Sequence, residues 1–306
     1  MDTDIPPTKL HELDSWIAKK EDSVEFLKPE AKASVNWADL NNKSKTSFSI
    51  LYLHGFKASK GEGDPVHKEV AQTLGLNLFL SRIYKHGLNN PDAFRNLESK
   101  DLTSSAEEAL QIAKKLGNKV IIMGTSTGAS LGLYLASKKE NRDIIAALLL
   151  YSPLIKFYGV QNLLLSKKVG RSFLKFFTPR DYRLKSQNQT EDQEKIWYST
   201  YHIDGAFALG RFVEDNMKKE TFEKVSCPVF TAYYYKNIFN QDKVVSVKAI
   251  KKMHEQLGTD PNQKELLKLP HADSHIISCE LVSKSTTELK KNSIQFLRKQ
   301  LALKQL

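Results

Sequence analysis

The sequence predicts an α/β protein, a mostly parallel sheet flanked by helices, and three observations carry that expectation. Short apolar runs with no alternating polar face, such as Lys119–Met123 and Ile144–Leu150, are of the kind buried on both sides of a parallel sheet. Helical periodicity alternates with these runs through the middle of the chain, as βαβ units require. The 306 residues are 41% hydrophobic and 26% charged, which suits a packed core and excludes a disordered or fibrous chain.

In chain order, residues 1–46 carry a helical stretch, His11–Phe26, and an edge strand around Ala33–Trp37. Ser47–Leu53 reads as a buried strand ending at His54-Gly55, followed by the loop Lys60-Gly61-Glu62-Gly63. Asp64 at N-cap and Pro65 at the first helical position open a helix, because the cap accepts a free amide and proline lacks one. Val66, Val70 and Leu74 share one face of that helix, and Gly75 ends it. Leu76–Ile83 is the next strand. Ser104 with Glu107 forms a capping box for a helix whose apolar face is Ala106, Ala109, Leu110, Ala113 and Leu116, closed by Gly117. The strand Lys119–Met123, the helix Ala129–Ser137 and the strand Ile144–Leu150 follow. Residues 154–224 are too long for a simple crossover, and their helical, aromatic-rich character predicts a cap over the carboxyl edge of the sheet. Beyond it come a strand at Pro228–Tyr235, a helix at Val247–Leu257, a weaker strand at Lys264–Leu269 and a terminal helix, Thr287–Leu303, with Ile294, Leu297 and Leu301 on one side.

Composition narrows the function classes. Lys and Arg total 46 against 35 Asp and Glu, a formal charge of +11, but the lysines are scattered and no nucleic-acid signature accompanies them, so no nucleic-acid partner is expected. One segment stands apart: Leu154–Arg180 carries Lys156, Lys167, Lys168, Arg171, Lys175 and Arg180 with no acid, interleaved with apolar residues. It is either the solvated outer face of a cap helix, the favoured reading, or a patch that approaches anionic lipid. The two cysteines, Cys227 and Cys279, lie 52 positions apart without a CxxC, which argues against a disulfide framework and a structural zinc site. No apolar run reaches membrane-spanning length, and the acidic start Met1-Asp2-Thr3-Asp4 is unlike a signal peptide, so the expected location is cytoplasmic, with a trimmed signal as the alternative.

The chemistry is concentrated in Gly124-Thr125-Ser126-Thr127-Gly128, placed directly after a strand and before a helix. That context turns a common pattern into a nucleophile elbow, in which Ser126 takes a strained conformation and projects its hydroxyl. The Thr127 amide then lies at a helix N-terminus, where it can stabilise an oxyanion. His54-Gly55-Phe56, 72 residues before the serine, offers the Phe56 amide as the second donor, while His54 braces the loop. A serine hydroxyl needs a base and a group to orient it, in the order serine, acid, histidine. His254, His271 and His275 come late enough. His275 is chosen because the apolar Ile276-Ile277 follows it, with His271 as the alternative. Asp242, just after the strand Pro228–Tyr235, is the expected acid, with Asp273 the competitor. The other acid position of such folds holds Ser152-Pro153.

The order HGF, GTSTG, Asp242-Lys243-Val244-Val245 and Ala272-Asp273-Ser274-His275 resembles the α/β-hydrolase family. More narrowly it is similar to bacterial carboxylesterases and monoacylglycerol-lipase-like serine hydrolases, over about residues 47–303. The resemblance implies an α/β-hydrolase fold with a helical cap inserted after the sixth strand, and three regions: an N-terminal extension at 1–46, a core at 47–153 and 225–306, and the cap at 154–224. It implies Ser126 as nucleophile, His275 as base, Asp242 as orienting acid, and the Phe56 and Thr127 amides as oxyanion hole. The expected activity is hydrolysis of a small carboxylic ester with an apolar acyl group, needing no metal or organic cofactor. Thioesterase, acyltransferase, lipase and peptidase chemistry, or a non-catalytic binding role, are the alternatives on the same fold. Three features depart from the family pattern. Thr125 and Thr127 flank the serine, the Lys236–Gln241 loop has no glycine before Asp242, and residues 1–46 have no counterpart in minimal members. Phe157, Tyr158, Leu163–Leu165, Phe173, Phe176, Phe177, Trp197, Tyr198, Tyr201 and Phe207 supply apolar area for an acyl pocket.

Overall fold

A computed structural model of the chain describes residues 6–159, 165, 170, 172, 182–185 and 189–303. Its strands are β1 (Ser34–Asn36), β2 (Thr46–Leu53), β3 (Asn77–Leu80), β4 (Gly117–Thr125), β5 (Ile145–Tyr151), β6 (Arg183–Lys185), β7 (Thr200–His202), β8 (Val229–Tyr234) and β9 (Lys264–Leu269). Seven of them form one sheet in the order β1-β3-β2-β4-β5-β8-β9. Every neighbouring pair in it is parallel except β1 with β3. The central strands are buried on both faces, so their side chains split between two cores. Leu51, Leu53, Val120 and Ile122 face one core, and Ile50, Tyr52, Ile121 and Met123 the other.

Helices α1 (Leu13–Asp22), α3 (Ser99–Leu116), α4 (Thr127–Ala136) and α8 (Val247–Gln256) fill the first core, while α2 (Val66–Thr73) and α9 (Thr286–Leu301) fill the second. This two-sided cover is what a parallel sheet needs, because its central strands are apolar on both faces. Between β5 and β8 lie the β6–β7 antiparallel pair and the helices α5 (Glu191–Ile196), α6 (Asp204–Asn216) and α7 (Lys219–Phe222). Arg183 of β6 makes a two-point pair with Asp92 at 3.0 and 3.1 Å, which pulls that carboxyl down to about 2. The His202 amide donates to Ala93 O at 2.8 Å, so the excursion is fastened to the loop between β3 and α3.

Four local expectations shift. The excursion leaves the sheet after the fifth strand in chain order, not the sixth, because only β1 precedes β2 among the described residues. It is also not wholly helical, since β6 and β7 pair within it. Asp64 does not cap α2. Pro65 occupies the N-cap, and the Asp64 carboxylate pairs with Lys68 one turn on. The helix α3 begins at Ser99, capped by a reciprocal pair between Glu98 and Asp101, because buried Leu102 extends the Ala106–Leu116 stripe a further turn towards the N-terminus.

Helix α1 and strand β1 pack the described part of residues 1–46 onto the sheet. Leu13 and Ile17 of α1 join the first core. Glu21 of the same helix makes a buried two-point pair with Arg82, at 2.6 and 2.9 Å, just beyond β3. Cys227 and Cys279 are free thiols. Among the described residues no helix is long and apolar enough to cross a membrane. Lys167, Lys168, Arg171, Lys175 and Arg180 of the basic stretch, with Leu163, Leu164, Phe173, Phe176 and Phe177, lie outside the described residues.

Candidate active site

Ser126 is the single residue between β4 and α4, at φ 54° and ψ −114°. A side chain costs energy in that region of backbone space, and such strain persists only where the surroundings over-determine it. Here they do. The Ser126 amide donates to Tyr151 O at 2.8 Å, and its carbonyl receives the Ser130 amide as α4 begins. A Cβ on Gly128 would lie 1.9 Å from Leu53 O, and one on Gly124 would lie 2.5 Å from Ala129 N, so only glycine fits at either position. Thr127 opens α4 and therefore has no intrahelical acceptor for its amide. Thr125, unusual in this position, is part of a buried hydroxyl chain: Tyr52 Oη, Thr125 Oγ1 and Ser278 Oγ stand 3.1 Å apart in turn, and Ser278 donates onward to Glu62 O at 3.1 Å.

The structure brings His275 and Asp242 together, with Nδ1 2.6 Å from Asp242 Oδ2. The other carboxylate oxygen accepts the Val244 and Val245 amides at 2.8 and 3.0 Å, which fixes the rotamer of a fully buried side chain. Burial disfavours the imidazolium, yet the Asp242 charge and hydrogen bond, joined by the Glu62 charge, outweigh it and hold His275 above its ordinary pKa. The acid loop works without glycine because no residue from Lys236 to Gln241 has positive φ. Asn237 Oδ1 instead accepts the Phe239 and Asn240 amides at 3.0 and 2.9 Å, and the Asp242 amide returns to Tyr234 O at 3.3 Å. The competing residues stand elsewhere. His271 is exposed, and Asp273 pairs with Lys284 at 3.6 Å.

His54 is buried at the end of β2. Its Nε2 accepts the Ile83 amide at 3.1 Å, which leaves Nδ1 as the donor to Gly55 O at 2.9 Å. Burial lowers its pKa to about 4, so it is a neutral brace. Phe56 stacks on Phe94, with centroids 5.0 Å apart, and its residue borders the same cavity as Thr127.

That cavity, about 490 Å³, is bordered by Ser126, His275, Phe56 and Thr127 together. Its apolar wall comes from Leu154, Phe157, Leu165, Trp197, Tyr201 and Leu209, a size and lining suited to a small organic ligand. Among the described residues no hydrogen bond joins the Ser126 hydroxyl to the His275 ring. A serine–histidine bond of this kind often tightens only with substrate bound. Of the aromatics expected in the pocket, Phe157, Trp197 and Tyr201 border it. Phe207 lies on a separate surface groove, and Tyr198 donates its hydroxyl to Lys85 O at 3.0 Å.

No family model matches the chain, and no curated protein matches it in sequence. Solved structures do match in shape. One of the metagenome-derived lipolytic enzymes LipS and LipT aligns with a TM-score of 0.68 at 16% identity, covering 89% of this chain and 99% of its own. Est1E from Butyrivibrio proteoclasticus, with ferulic acid bound, gives 0.62 at 18%, covering 88% and 95%. A soluble variant of monoglyceride lipase from Saccharomyces cerevisiae gives 0.58 at 16%, covering 88% and 92%. This chain has the α/β-hydrolase fold.

On the hydrolase fold, sequence reading missed two buried groups. His254, passed over as a base in the sequence, is buried with Nδ1 3.1 Å from Thr231 Oγ1, and burial lowers its pKa to about 4. Glu62 was read only as part of a loop. It is buried, and its Oε2 accepts the Gly55 amide at 2.5 Å while Oε1 accepts Trp197 Nε1 at 3.0 Å. Burial raises its carboxyl to about 7 against the pull of those two hydrogen bonds and of the His275 and Lys57 charges. A lone acid between two glycines, six residues after the HGF turn, was the available signal.

Proposed function

We propose that the protein is a serine hydrolase of carboxylic esters. The observation that carries the proposal is the strained Ser126 on the same cavity as a His275 already oriented by Asp242. His275 Nδ1 is committed to Asp242, which leaves Nε2 as the base. Nε2 takes the Ser126 proton as Oγ attacks the acyl carbonyl, and the Phe56 and Thr127 amides meet the oxygen that becomes negative. Collapse breaks the bond to the alcohol, which leaves with the proton from Nε2. Water then attacks the acyl-enzyme by the same route and restores Ser126. Asp242 steadies the imidazolium in both halves.

Residues 154–224 act as a cap on a core of 47–153 and 225–306, with 1–46 as an extension. The cap supplies Phe157, Leu165, Trp197, Tyr201 and Leu209 to the cavity, which favours an apolar acyl group. The lipolytic enzyme and the monoglyceride lipase of like fold support an ester as the substrate class.

Hydrolysis of p-nitrophenyl esters from acetate to palmitate tests the reading. Wild type is expected to turn over, and Ser126→Ala to lose at least about 10⁴-fold in kcat. A wild type that is inert on every ester and unlabelled by a fluorophosphonate overturns it.

A further inference from the structure

Glu62 takes no part in the chemistry just described, yet it lies on the same cavity. Burying a carboxylate is expensive unless each oxygen is satisfied, and here both are. The two donors come from segments far apart in the chain. Gly55 N–H belongs to the turn that presents the Phe56 amide, and Trp197 belongs to the excursion that closes over the cavity. A second bond runs beside the first, from the Tyr198 amide to Lys57 O at 2.8 Å. The Glu62 backbone is held as well, through Ser278 Oγ, which is bonded in turn to Thr125, the neighbour of Ser126. A side chain on Gly55 would meet Glu62 Oε2 at 2.8 Å, so the turn and the carboxylate are fitted to one another.

On the reading of Ser126, His275 and Asp242 as a triad, we infer that Glu62 is a positioning residue that fastens the oxyanion turn to the cap through Gly55 and Trp197. It borders the same cavity as His275, and its charge there favours the protonated imidazole. The consequence is a site whose oxyanion hole, roof and base respond together to one proton. The charged and titratable groups around Glu62 are Lys57 from the oxyanion turn, Tyr52 from β2, and His275 and Cys279 from the segment after β9. Ionised, Glu62 accepts both N–H donors and supports the imidazolium. Protonated below about 7, it loses that charge, and one oxygen carries a proton of its own. The sign follows: activity falls as pH drops through the region where both Glu62 and His275 take up protons, and it falls more steeply than one proton allows.

Glu62→Gln preserves shape and removes the charge. Its amide keeps an oxygen for Gly55 N–H but sets an NH₂ against Trp197 Nε1–H. The expected result is a loss of about 10- to 100-fold in kcat with a smaller change in KM, and an acid limb that becomes a single-proton curve displaced to lower pH. Trp197→Phe removes one bond to the ionised form while keeping ring bulk, so the Glu62 ionisation moves upward, and activity lost at pH 7 returns at higher pH. The deciding measurement needs no turnover: the His275 imidazole is titrated by proton NMR in Ser126→Ala, with and without Glu62→Gln. A downward shift of the midpoint supports the inference. An unmoved midpoint overturns it, whether or not the protein hydrolyses esters. A Glu62→Gln enzyme that is weaker at every pH, with wild-type limb shape and midpoint, overturns it too.

Discussion

Two loops at the carboxyl edge of the sheet each place one side chain, Ser126 on the cavity and Asp242 against the His275 ring, and they do so by opposite means. The elbow spends one residue between β4 and α4 and relies on sterics: a backbone forced to φ 54° and two glycines that leave no room for a Cβ. The loop before Asp242 spends seven residues after the end of β8, with no positive φ, and relies on backbone amides donating to Asn237 Oδ1 and to the Tyr234 carbonyl. A steric device is all or nothing, because a clash with a carbonyl has no partial form. A hydrogen-bonded loop degrades by steps, each about the size of one bond.

That contrast can be broken in order of effect. Asp242→Asn should cost the most activity at the least structural cost. Oδ1 can still accept Val244 and Val245, but the new NH₂ faces His275 Nδ1 and forces the proton onto Nε2, the wrong tautomer for a base. The expected loss is about 10⁴-fold in kcat with an unchanged thermal midpoint, read by ester kinetics and calorimetry. Gly128→Ala places a methyl 1.9 Å from Leu53 O, and a loss of at least about 4 kcal/mol in urea unfolding is expected. A loss under about 1 kcal/mol would show that the elbow is not sterically fixed. Asn237→Ala leaves two exposed amides to water, so about 1 kcal/mol and less than a threefold change in kcat are expected. A larger loss of activity would mean that Asp242 depends on the tip of its loop rather than on Val244 and Val245.

The same contrast explains what could be read in the sequence. The elbow was legible because its determinants are contiguous: strand, GTSTG, helix. Chain order and places after strands pointed to His275 and Asp242, the pair proposed here as base and acid, whose side chains meet at 2.6 Å. Glu62 was not, because its meaning lies in Trp197, 135 positions away, and no local pattern announces that bond. Helix starts erred for a related reason. Ser104 with Glu107 is a sound capping box, but Leu102 finds buried space in the first core, and that packing outweighs the local cap. Pro65 and Asp64 likewise answer to the approach of the preceding turn and to Lys68, not to the helix alone.

The short strand β1 has a consequence for how the molecule meets its own copies. A sheet edge is a template for another strand unless something blunts it. At one end β9 does so with Lys264, Glu265 and Lys268 at three of its six positions. At the other end β3 is Asn-Leu-Phe-Leu, buried at all four positions and without a charge, and β1 lies antiparallel along Leu78–Leu80. The buried Glu21–Arg82 pair and the α1 contacts hold that guard in place. The strand β1 therefore replaces an uncharged, apolar edge with one only three residues long, too short to template the addition of a second chain.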